Sequence, residues 1–185
     1  MKKRIHGFAN REEGNIILLF AGVLVILIAF VGLALDMGML LVRRNELQNL
    51  CDLVRESRFA HQDTIRFADD PGLTSYQVAT QAIVNNGFGG ELTFYYREDT
   101  PADNRRKYIV RTELTEEFEF SFLKVIGLDA MDIVVRADGG GDYGESTNDV
   151  VWRPAGNVAN FNGTYRGTIA GLLSFDPGAF PADWP

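Results

Sequence analysis

The residues of this 185-residue chain that could do chemistry are few and scattered. Asp138, Asp142, Glu145 and Asp149 crowd one glycine-rich stretch and would suit a hard cation such as calcium. Their spacing misses the Asp-x-Asp-x-Asp-Gly loop that wraps that ion, and a solvated acidic run is the better reading. "GGGDYG", residues 139–144, lacks the lysine and the strand–helix setting of a phosphate loop. Cys51 is the sole cysteine, which excludes an internal disulfide framework and a cysteine zinc site. It suits a small packed hydrophobe, an intermolecular disulfide being the alternative. His6 and His61 are the only histidines, too few for a histidine metal site. "NGT" at Asn162 fits a glycosylation acceptor, a pattern short enough to arise by chance. No nucleophile, base and oxyanion donors group together. The sequence therefore predicts no enzyme activity, no cofactor and no metal site.

The elements that must position these residues begin with "IILLFAGVLVILIAFVGLAL", Ile16 to Leu35, a run of 20 residues that are all apolar or glycine. At 1.5 Å per residue such a helix spans about 30 Å, the thickness of a bilayer's hydrocarbon core. A soluble core helix is rarely apolar on every side for so long. A secretory signal has a shorter apolar region followed by a small-residue cleavage pattern. Here "DMGMLLVRRNELQ" follows instead. The expectation is a retained membrane helix over 15–35, with Leu27 near its middle.

Charge sets the orientation. Residues 1–14 carry Lys2, Lys3, Arg4 and Arg11 against Glu12 and Glu13, a net +2, and 15–35 carry none, so the rest of this −7 chain carries −9. Four basic residues before the span and only Arg43 and Arg44 just after it predict a cytoplasmic N-terminus and an extracytoplasmic body. The acidic body does not suit a phosphate backbone, so no nucleic-acid partner is expected. No proline occurs before Pro71, and the helix is expected to run on as a stem to about His61. Leu47, Leu50, Cys51 and Val54 recur at three- and four-residue spacing among polar neighbours, a candidate interaction stripe. It would pack on the protein's own body or on copies or partner rods. Asp36, at the outer end of the span, is expected in water at headgroup level, the alternative being a partner's side chains.

"REEGNIILLFAGVLVILIAFVGLALDMGMLLVRRNELQNLCD" resembles the N-terminal segment of the TadE/TadG-like proteins of bacterial Tad (Flp) pilus assembly. That pattern has a basic stretch and a Gly before the span, an Asp-x-Gly at its outer end, then an Arg and Leu-Gln-x-x-x-Asp. Gly14, Asp36, Gly38, Arg43 or Arg44, Leu47, Gln48 and Asp52 fill those positions here. The order of the later runs is similar as well. Two departures stand out. "NLCDLVRESRFAHQD" replaces the family's alanine-rich run, and Leu19 stands five residues after Gly14, where pseudopilins carry a Glu. The second departure argues against assembly like a main pilin subunit and fits the TadG-like branch better than the TadE-like one. The resemblance implies a structural or assembly role in the bacterial inner membrane. The implied partners are the membrane, other pilus-assembly or envelope proteins, or copies of the chain itself. A processed minor pilin-like subunit and a membrane-tethered binding protein are the rivals.

The expected fold is α+β: the long N-terminal transmembrane helix extends into a stem that packs against a small antiparallel sheet domain, with an irregular Gly/Pro/aromatic C-terminal tail. The segments are 1–14 basic, 15–35 spanning, 36–66 stem, 67–137 body and 138–185 linker and tail. In the body, Pro71-Gly72 reads as a turn, and Thr74 or Ser75 caps a helix through Val84 that stops at Gly87. Leu92, Phe94 and Tyr96 alternate in one strand, and Tyr108, Val110 and Thr112 in the next, giving a hairpin with a turn around Pro101–Asn104. Phe118, Phe122 and Val125 suggest a short helix with a Gly127 stop, and "MDIVVRAD" a third strand. "DGGGDYGESTND" reads as a flexible linker. The following tail holds Trp152, Phe161, Tyr165, Phe175, Phe180 and Trp184, so part of it is expected to dock, with its own body favoured over a partner.

Overall fold

The computed structural model describes residues 10–99, 105–145 and 161–184. The elements, in order, are α1 (Asn10–Ala60), α2 (Gln62–Phe67), α3 (Pro71–Val84), β1 (Glu91–Asp99), β2 (Arg105–Glu119), a 3₁₀ turn (Leu123–Ile126), β3 (Ala130–Glu145), β4 (Gly163–Thr168) and β5 (Gly171–Pro177). Two compact units share the chain. The first takes its described residues from 10–41 and 119–130, the second from 42–118 and 131–184.

The second unit is the α+β body. Its five strands form an antiparallel sheet in the order β3-β2-β1-β4-β5. β1 pairs with β2 in the register Phe94↔Thr112 and with β4 in the register Phe94↔Tyr165. As the central strand, β1 is buried on both faces: Leu92, Phe94 and Tyr96 on one, Thr93 and Tyr95 on the other. On the first side the apolar layer is completed by Leu47, Cys51 and Val54 of α1 and by Tyr76, Ala79 and Ile83 of α3. On the second, Trp184 lies 6.0 Å from the Tyr95 ring.

Several expectations are corrected. The tail is not irregular, because β4 and β5 join the sheet and the tail docks on its own body. The glycine run is not a linker as far as Glu145, because β3 passes through it. Its glycines serve close approach. A Cβ on Gly140 would sit 2.7 Å from the Tyr108 carbonyl oxygen, and one on Gly141 2.9 Å from the Tyr108 hydroxyl. Asp70, not Thr74 or Ser75, caps α3, accepting from the Leu73 N–H at 2.8 Å, with Pro71 opening the helix. Residues 116–119 are strand, and only Leu123–Ile126 is helical before the left-handed Gly127. The turn expected around Pro101–Asn104, Trp152, Asp149, the Glu145 side chain and the start of the basic segment lie outside the described residues.

Candidate functional site

The first unit pairs the apolar half of α1 with the connection between β2 and β3. From Asn15 to Val31 every α1 side chain is exposed, and the first buried positions are Gly32 and Asp36, four residues apart on one helix face. Asp36 is 0% exposed. Its Oδ1 accepts from the Ser121 N–H at 3.0 Å, and its Oδ2 from Phe122 at 2.9 Å and Leu123 at 2.7 Å. These N–H groups open the 3₁₀ turn and have no intrahelical acceptor, so a distant carboxylate supplies the cap. Three donors converging on one group suit the ionised, acceptor-only form. Asp36 is therefore not in water at headgroup level as expected. One turn back, the Phe122 side chain lies against Gly32, where a Cβ would come within 2.8 Å of it. Gly127, at φ 85°, closes the turn in the left-handed region that favours glycine.

The pinned loop presents apolar side chains outward: Val125 is 88% exposed and Ile126 70%, with Phe122 and Leu128 also exposed. Phe122, Val125 and Ile126, together with Val25, Ile26, Phe30 and Leu33 of α1, line an almost wholly apolar groove of about 400 Å³.

In the second unit, Leu47, Cys51 and Val54 are fully buried, Leu50 is half-buried, and Arg58 continues the buried stripe one turn further. The Cys51 Sγ lies 3.9 Å from the Thr112 carbonyl and 3.8 Å from that of Val135. Burial pushes its thiol up to about 12, so an intermolecular disulfide there is disfavoured. Gln48 donates to the Arg136 carbonyl at 3.2 Å, and Asp52 pairs with Arg55 at 3.3 Å. Arg43 grips Glu116 with two bonds of 2.7 and 2.8 Å, while Arg44 is exposed. Gly14 lies in α1, and Gly38 faces open space. Arg111 holds Asp138 bidentately at 2.6 and 3.0 Å and Asp183 at 3.0 Å, tying the chain's end to the sheet.

The scattered polar residues do not converge. Asp138 is taken by Arg111, and among the described residues no three His, Cys, Asp or Glu side chains group to hold a metal. His61 is exposed, its Nδ1 2.9 Å from the Ser57 carbonyl. Both ends of the Asn162 amide bind the Glu98 backbone at 2.9 Å, which occupies a glycosylation acceptor's nitrogen.

Within Asn15–Ala60 the chain has one helix, among the described residues, that is long and apolar enough to cross a membrane, and the second unit is an α+β body. That arrangement is compatible with a single-pass anchor. Residues 14–54 match the family model of Flp pilus-assembly TadE/G-like proteins, and over that segment the chain is similar to that family. The match and the helix together support a component associated with the Tad pilus. No curated protein and no solved structure matches the chain.

Proposed function

We propose that this chain is a single-pass protein of the bacterial inner membrane, with a cytoplasmic N-terminus and an extracytoplasmic body, and that it serves as a structural or assembly component of a Tad (Flp) pilus or related secretion system. The observation that carries the reading is the exposed apolar surface of α1 from Ile16 to Val31, lying inside the segment that matches the pilus-assembly family. In water that surface would be a severe liability, whereas in lipid it is the favoured state. The role is mechanical: the anchor fixes the chain and the body meets pilus or envelope partners. Deleting the gene is expected to abolish or sharply reduce surface pili, with restoration by the full chain. A chain truncated before Val42 should reach the membrane and fail to restore them. Normal piliation in the deletion strain would overturn the assembly role.

A further inference from the structure

We propose that the loop Phe122–Leu128 enters the hydrocarbon of the outer leaflet beside the anchor, as a second apolar element held in lipid by Asp36. This rests on the membrane-anchor reading above.

Depth is the first ground. The loop is pinned at Asp36, and its tip residues Val125 and Ile126 share a groove with Val25 and Ile26 of α1. From Asp36 back to Ile26 is ten residues, about 15 Å along a helix, or half of a hydrocarbon core about 30 Å thick. Wherever the exposed apolar stretch of α1 lies in lipid, the tip lies beside it.

Side chains are the second ground. Phe122, Val125, Ile126 and Leu128 are exposed, and Val125 and Ile126 are the most so. They continue the surface that α1 presents from Asn15 to Val31, and that continuity identifies the occupant as acyl chains rather than another protein. The cation within the turn, Lys124, reaches back to Glu119 at 2.9 Å, which pairs its charge.

Backbone satisfaction is the third ground. Irregular backbone is tolerated at membrane depth only where its polar groups are met internally. Seven N–H groups between Phe120 and Leu128 donate within the unit, to Asp36, to the Asp129 carbonyl or to the loop's own carbonyls. Asp36 and the loop thus solve each other's problem. The carboxylate would be costly against lipid if exposed, and without it three N–H groups would be orphaned.

The test uses the full chain in phosphatidylethanolamine–phosphatidylglycerol vesicles. Val125→Cys and Ile126→Cys carry an environment-sensitive fluorophore, with Leu27→Cys in the anchor and Leu173→Cys on exposed β5 as references and the unsubstituted chain reporting any label at Cys51. Acyl-chain nitroxide lipids should quench the Val125 and Ile126 labels to within about twofold of Leu27, while aqueous iodide spares them and quenches Leu173. Iodide quenching at Val125 with lipid quenching at Leu27 would place the loop in water and overturn the proposal while leaving the anchor standing. Shielding of Val125 from both quenchers would mean a protein covers it, which also overturns the proposal. Loss of lipid quenching at Leu27 itself would sink the anchor reading, and this inference with it.

Discussion

Leu47→Ala tests where the energy of the stem resides. Leu47 is 0% exposed and sits beside Cys51 and Val54 in the body's apolar core. Truncation removes three carbons from a fully packed site, and such changes cost about 2–5 kcal/mol, the spread reflecting how far the site collapses. For a unit of this size, each kcal/mol lowers the melting temperature by about 4 °C. The expected drop is therefore about 8–20 °C, read by tryptophan fluorescence of the full chain in detergent micelles. Leu53→Ala makes the same chemical change on the same helix at a residue 40% exposed, and should cost under about 1 kcal/mol. If the stripe were a surface kept for partner rods, the isolated chain would tolerate both changes equally. Equal melting temperatures for the two variants would refute the packing described here.

Three further outcomes are expected. Asp36→Ala removes the acceptor for the Ser121, Phe122 and Leu123 N–H groups, so hydrogen exchange at those amides in micelles should speed by about tenfold or more; unchanged protection would mean that something else holds the turn. Cys51, with its thiol at about 12, should resist maleimide at neutral pH until the body is denatured. Because the folded value lies above the unfolded one, its contribution to stability is complete below about pH 8.5 and is lost as pH rises from there towards 12, and rapid native labelling at pH 7.5 would contradict that burial. Gly72→Ala places a methyl group against the Tyr165 hydroxyl and the Phe161 carbonyl, an overpacking expected to cost about 1–3 kcal/mol, which chemical denaturation of the variant would measure.

The parts of the fold governed by neighbours in sequence were legible. The long apolar helix is read from an unbroken apolar run, and the first hairpin from the alternation of Leu92, Phe94 and Tyr96. Arrangements made by distant residues were not. Asp36 looks like a polar residue meeting water because its three donors lie some 85 positions away. Gly139–Gly141 have the composition of a linker, yet the same lack of side chains lets β3 pass close to Arg58 at Gly139 and to Tyr108 at Gly140 and Gly141. β4 and β5 are short, and β4 pairs with β1 across about 70 residues, a pairing that no local pattern announces. Arg58 extends the buried stripe, but a charge at that position reads as the edge of an apolar face. The family motif marked Asp36 as worth watching without saying what it holds.

The most direct measurement of the central claim is protease accessibility of the intact chain in spheroplasts, with epitopes at both ends. A single-pass anchor over 15–35 with an outside body predicts that added protease destroys the C-terminal epitope, spares the N-terminal one, and leaves a membrane-bound fragment that holds the span. A protected C-terminus would reverse the orientation, and full release of the undigested chain by alkaline carbonate would contradict the anchor itself.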